Sequence, residues 1–227
     1  MDRSTVADIF GWDIKNWSKA LPFWEERVPK DLSGMNCLEL GGRKGGPTLW
    51  LALKGANVLC SDIDDPTEIA SELHNKYELK GKIEYKALDA TKINDRETFD
   101  IIIFKSILGG ICRNGQDALK KEMIDSLYRA LKPGGKLIFA ENLEASGVHK
   151  FFRKKFVKWG AQWNYLKYEE VEHVFSSFSN LEYDTTGFWG LFGRSEGQRN
   201  FLASFDNVFR FMTPKSKRYI VYGVATK

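Results

Sequence analysis

The amino-acid sequence predicts an α/β fold in three layers, a mostly parallel sheet covered by helices on both faces. Three observations carry this. Short apolar runs of strand length recur through the middle of the 227-residue chain, separated by segments long enough to form helices. The runs are almost continuously apolar, as strands buried on both faces are. Glycines and prolines fall between them, where the chain has to turn.

The elements follow in order. Met35 to Leu40 is an apolar run that ends in glycines. A helix is expected from Pro47 to Lys54, with proline in its first turn and Gly55 as its stop. Ala56 to Ser61 is the next strand and ends at Asp62. Pro66 to Leu79 reads as a helix closed by Gly81. Ile83 to Ala87 runs toward Asp89, and Phe99 to Phe104 is the most β-rich run. Leu119, Met123, Leu127 and Leu131 recur every four residues and mark an amphipathic helix. Pro133-Gly134-Gly135 then turns the chain into a strand from Lys136 to Ala140. Strand–helix–strand units of this length make right-handed crossovers between parallel neighbours. With no internal repeat and no low-complexity linker, one domain over residues 1–227 is expected. Residues 1–32 are its N-terminal helical extension, 33–142 its core and 143–227 a C-terminal elaboration.

Composition narrows the function. A net charge of +4 is only mildly basic and argues against a nucleic-acid partner. Cys37, Cys60 and Cys112 lie far apart, with no CxxC pair or Cys/His cluster, so neither a metal site nor a disulfide framework is expected. Buried reduced thiols fit a cytoplasmic protein. No signal-peptide pattern opens the chain and no apolar run approaches the ~18 residues of a membrane span, so no transmembrane segment is expected. Contact with a membrane surface stays open.

The chemistry concentrates in Glu39-Leu40-Gly41-Gly42-Arg43-Lys44-Gly45-Gly46, which follows a strand and opens a helix. Alone, this could be a tight turn and nothing more. Asp62 closes the next strand about 20 residues on, the spacing at which a carboxylate reads ribose hydroxyls. Asp62 could instead cap the following helix, but Asp64 and Asp65 are better placed for that. The dinucleotide fingerprint fails because Arg43 stands at its middle glycine.

Glu39 before the glycines, Asp89 after the third strand, and the runs at Phe99 and Leu131 complete a series that resembles the class I S-adenosylmethionine (SAM)-dependent methyltransferase family. The resemblance covers residues 33–142 and, more loosely, the C-terminal strands. It implies a Rossmann-like sandwich with a seven-stranded sheet whose last strand is antiparallel, Leu181 to Gly187 and Tyr219 to Thr226 being the sixth and seventh strands. It implies SAM as methyl donor and S-adenosylhomocysteine as product. Glu39, Gly41, Gly42 and Gly45 would surround the methionine part, with Arg43 in the turn where the family has glycine. Asp62 would bind the ribose, Ile63, Asp89 and Ala90 the adenine, and Lys105 would lie near the sulfonium. Trp17 is the choice for an N-terminal lid over the cofactor, although Trp12, Trp17 and Trp24 also suit a core.

The acceptor is less constrained. The Asn/Asp-Pro-Pro-Tyr/Phe motif of enzymes that methylate base amines is replaced by Lys105-Ser106-Ile107-Leu108. A hydroxyl on a small molecule or glycan is expected, with His149 or Glu141 as base. From His149 to Trp159, Phe152, Phe156 and Trp159 share one helical face, while Lys150, Lys154 and Lys158 share another. A solvated basic face is the plainest reading. An anionic or lipid-linked substrate, or a membrane interface, also fits. A SAM-binding module without catalysis and an RNA methyltransferase are the alternatives.

Overall fold

In the computed structural model, which describes residues 1–157 and 162–227, the chain opens with three short helices, α1 (Arg3–Phe10), α2 (Ile14–Trp17) and α3 (Ala20–Glu25). Strands and helices then alternate: β1 (Asn36–Leu40), α4 (Gly46–Leu53), β2 (Asn57–Asp62), α5 (Thr67–His74), β3 (Ile83–Ala87), β4 (Phe99–Lys105), α6 (Leu108–Ile111), α7 (Asp117–Ala130) and β5 (Leu131–Asn142). The C-terminal part adds α8 (Gly147–Phe156), α9 (Val171–Val174), β6 (Asn180–Thr186), α10 (Glu196–Val208) and β7 (Ile220–Thr226). All seven strands form one sheet in the order β3-β2-β1-β4-β5-β7-β6. β1 to β5 pair in parallel, and β7 runs antiparallel to both β5 and β6.

Both faces of the sheet are covered, which explains the unbroken apolar strands. On β4, Ile101 and Ile103 face one core and Ile102 and Phe104 the other. The first core gathers tryptophans: Trp24 of α3 lies 5.6 Å from Trp50 of α4 and 5.8 Å from Phe10 of α1, centroid to centroid. The second takes Met123, Ile124 and Leu127 from α7 and Val171 and Val174 from α9.

Two boundaries differ from the sequence reading. The helix expected to Leu79 ends at His74, because Lys76 and Tyr77 bond to carbonyls three residues back, at Leu73 and His74. That tightening closes the last turn. The Pro133-Gly134-Gly135 segment lies inside β5, which starts at Leu131 opposite Phe99 and shifts register before Ile101. The glycines serve as a bulge within the pairing rather than a turn before it. Cys37, Cys60 and Cys112 are buried and unpaired. Among the described residues no helix is long and apolar enough to cross a membrane.

Candidate active site

The loops at the carboxyl ends of β1 to β4 enclose a cleft of about 910 Å³. A crevice at this edge, beside the point where strand order reverses between β1 and β4, is where open α/β sheets bind ligands. Its floor is the glycine turn. Gly41 and Gly45 take left-handed backbone angles, φ +67° and +69°, which a side chain would oppose. A Cβ on Gly45 would stand 2.4 Å from the ring of His74. Arg43 takes an ordinary negative φ, so glycine is not needed there, and its N–H donates to Asp62 Oδ2 at 3.0 Å. His74 locks the turn from beneath: Nε2–H donates to the Gly45 carbonyl at 2.8 Å and Nδ1 accepts from the Tyr85 hydroxyl at 2.8 Å. This ring is 2% exposed.

Glu39 stands on the cleft wall with 2% exposure and accepts the Thr48 N–H at 2.8 Å. Burial pushes its carboxyl up to about 7, while the Thr48 hydrogen bonds and Lys105 pull it back. Asp62 and Asp89 line the same cleft, with Ile63 and Ala90 beside them. Ile63 is 63% exposed, an apolar side chain left in water at the cleft edge. Asp62 is not the free carboxylate that the sequence suggested. Oδ1 takes the Ile63 N–H at 2.7 Å while Oδ2 takes Arg43, so each oxygen keeps one further lone pair. Asp65 does the capping, accepting from the Thr67 N–H at 2.9 Å. Asp89 takes the Thr91 N–H and hydroxyl on Oδ1 at 3.0 and 2.7 Å.

Lys105, the last residue of β4, is half-buried on the cleft, with Nζ 5.1 Å from the Trp12 ring centroid and 4.6 Å from that of Trp17. No carboxylate lies within ion-pair distance of it among the described residues. Desolvation pulls its ammonium down to about 8, against the opposing fields of Glu141, Glu39 and Asp13. The following Ser106 takes φ +58° and is held by Asn142 Nδ2, which donates to its hydroxyl at 2.6 Å. A non-glycine residue in that conformation costs on the order of 1–3 kcal/mol and is found where surroundings over-determine it.

Three of the expected site residues stand elsewhere. Trp17 does not line the cleft: it is fully buried, 5.0 Å from Trp12, which does line it. Glu141 is buried off the cleft and accepts three backbone N–H groups, from Ile107, Leu108 and Asn142, at 2.7 to 2.8 Å. Those bonds fix the loop after β4. Burial pushes the Glu141 carboxyl up to about 7. His149 is also fully buried off the cleft. Its Nδ1 accepts from the Ser146 hydroxyl at 2.6 Å and its Nε2–H donates to the Phe188 carbonyl at 2.9 Å, so both nitrogens are spent on structure.

The amphipathic reading of α8 also changes. His149 and Arg153 point inward, the Arg153 guanidinium donating to the Leu143 carbonyl at 2.6 Å, while Phe156 is 46% exposed. Lys158 and Trp159 lie outside the described residues.

The far wall of the cleft was missed in the sequence. Asp8 and Trp12 come from the N-terminal extension, Arg113 follows α6, and Trp163 closes over Gly109 and Gly110. A Cβ on Gly109 would lie 1.9 Å from Trp163 Nε1, so that approach requires glycine. The adjacent glycines were the only signal.

The fold and this edge are those of a Rossmann-like α/β protein. Residues 38–139 match the family model described as a methyltransferase domain, and the chain carries the class I SAM-dependent methyltransferase fold. A sequence comparison with curated proteins finds no match. Among solved structures, the chain is similar to phosphoethanolamine N-methyltransferase 2 from Haemonchus contortus with S-adenosyl-L-methionine, at 17% identity and TM-score 0.62, over 98% of this chain and 56% of that one. The same enzyme with S-adenosylhomocysteine and phosphomonomethylethanolamine gives 17% and 0.61 over 93% and 52%. The chain thus spans about half the length of those enzymes. The N-methyltransferase NodS from Bradyrhizobium japonicum WM9 with S-adenosylhomocysteine gives 15% and 0.57, over 92% and 84%.

Proposed function

We propose that the chain transfers the methyl group of SAM to a hydroxyl oxygen of a small molecule or glycan, and that the acceptor carries negative charge. The observation that carries this reading is the shared cleft of Glu39, the glycine turn, Asp62, Ile63 and Asp89. These residues fit an adenosyl sulfonium amino acid. The spare lone pairs of Asp62 accept ribose hydroxyls, Ile63 covers the adenine face, and Asp89 with Ala90 meets its edge. The buried Glu39 carboxyl receives the cationic end and is held ionised by it.

When bound, SAM supplies a methyl on sulfur whose leaving group is a neutral thioether. The residues therefore have two tasks, alignment of the acceptor oxygen with the methyl–sulfur bond and removal of its proton. The wall of Trp12, Ile111, Arg113 and Trp163 aligns the acceptor, and Arg113 offers a cation for a phosphate or carboxylate on it. The Haemonchus enzyme is in complex with phosphomonomethylethanolamine, a phosphate ester. Since Glu141 and His149 do not reach the cleft, the proton passes to Lys105 Nζ in its neutral form. Arg43 takes ordinary backbone angles, so the lost glycine lends no support to a non-catalytic module.

Asp62→Ala tests the reading. Losing two hydrogen bonds to a charged acceptor should weaken SAM binding about 100-fold by calorimetry. Unchanged affinity would contradict the assignment. Radiolabelled methyl transfer into fractionated cell extract then identifies the acceptor, and a neutral acceptor would remove the role given to Arg113.

A further inference from the structure

The C-terminal elaboration leaves several large apolar side chains in water. Phe211 is 85% exposed, Phe201 66% and Phe151 65%. On α10 and its C-cap, Phe201, Phe205, Val208 and Phe209 fall within an arc of about 100° at the helical 100° per residue. Their rings form a ladder, Phe201 to Phe205 at 5.4 Å and Phe205 to Phe209 at 6.4 Å. Asp206 points to a different side and clamps one loop, accepting N–H bonds from Phe188, Trp189 and Gly190 at 2.7, 2.8 and 3.1 Å. The same loop is held from α8 through His149 and the Phe188 carbonyl. α8 and α10 are therefore tied together by the 188–193 loop, and all three expose apolar groups: Val148, Phe151 and Phe156, then Trp189, then the α10 ladder. Exposed apolar surface of this extent marks a contact site.

Charge identifies the partner. Lys150, Lys154 and Lys155 of α8 are exposed, and that helix has no acid. The two acids of α10 are turned inward, Asp206 onto the loop and Glu196 onto the backbone N–H groups of Asp13 and Ile14 at 2.9 and 2.8 Å. The Arg194 guanidinium sits 4.5 Å from the Phe156 ring centroid and Lys155 Nζ 5.5 Å from it. Aromatic rings rimmed by cations, with acids withdrawn, match the headgroup layer of an anionic membrane. A second copy fits poorly, because a two-fold contact would bring two basic rims together.

We infer that the face made by α8, the 188–193 loop, α10 and the turn through Met212 docks on an anionic phospholipid bilayer. The aromatic rings enter the headgroup layer, and the lysine and arginine heads meet lipid phosphates. The inference does not depend on the reaction proposed for the cleft.

Flotation of the full chain with vesicles tests it. Binding to phosphatidylcholine vesicles that carry phosphatidylglycerol should exceed binding to pure phosphatidylcholine by about tenfold or more, and should fall as salt rises. Lys154→Glu with Lys155→Glu should abolish that preference. Phe151→Ser with Phe211→Ser should lower binding to both kinds of vesicle by about tenfold. Thermal unfolding and SAM affinity should stay unchanged in both variants, since these side chains are exposed and do not line the cleft. Equal binding to neutral and anionic vesicles, or none, would overturn the inference. So would a concentration-dependent dimer in sedimentation velocity that Phe211→Ser dissolves while vesicles are ignored.

Discussion

The loops at the β1–β3 side of the sheet and those around β6 and β7 are held by different means. On the first side, most contacts join neighbouring elements, with Tyr77 also donating to Asp8 of the N-terminal extension at 2.7 Å. Asp65 caps Thr67, Asp89 caps Thr91, and Arg43 meets Asp62 across nineteen positions. On the second, they join the ends of the chain. Tyr219 donates its hydroxyl to Asp13, Asn16 Nδ2 donates to Asp206 at 3.1 Å, and Glu196 receives the Ile14 N–H. The difference separates two jobs. A cofactor cradle is set by backbone conformation near one turn, whereas the C-terminal region, which adds nothing to the cleft lining beyond Trp163, is set by buried polar groups that close only when both chain ends fold.

Asp206→Ala is the strongest way to break that division. It strands the N–H groups of Phe188, Trp189 and Gly190, and chemical denaturation should show a loss of about 3 kcal/mol. SAM affinity should move less than about threefold; a collapse of cofactor binding would show that the two regions are one unit.

Lys105→Met separates chemistry from scaffold at their boundary. Methyl transfer should fall about 100-fold in kcat, while SAM affinity and folding stability hold or improve slightly, because a desolvated cation is replaced by an apolar chain. In the unaltered protein the rate should rise with pH through about 8, where Lys105 loses its proton, and Lys105→Met should erase that limb.

A pH-dependent effect concerns Asp13, whose carboxyl burial pushes up to about 7 against the Tyr219 hydrogen bond and Arg199. The folded state then holds a proton that the unfolded chain releases near 3.8. Stability contributed by this group is present below about 3.8 and declines as pH rises to about 7, with a slope of at most about 1.4 kcal/mol per pH unit. Asp13→Asn should flatten the urea midpoint across that window; an unaltered slope would place the titration elsewhere.

The same division explains what was legible. The strands at Met35, Ala56 and Phe99 announce themselves because burial on both faces leaves continuous apolar runs. Glu39, Asp62 and Asp89 are legible because each sits at a strand end, and the strand order brings those ends to one edge. His149 was misread for want of a second coordinate: a histidine after the fifth strand faces either a pocket or a loop, and only Phe188, thirty-nine residues on, decides it. Trp12 and Trp17 lie five positions apart in one short stretch, and nothing local tells which lines the cleft and which fills the core.

By itself the sequence determined the parallel sheet, the glycine turn after β1 and the acids that close β2 and β3, because these follow from periodicity and nearby backbone demands. Only the tertiary structure decided that His74 locks that turn, that Glu141 and His149 serve loops instead of the cleft, and that α8 turns His149 inward and Phe151 outward. Each of those outcomes depends on a partner brought close by folding, and pairwise contacts across such distances leave no local pattern in the chain.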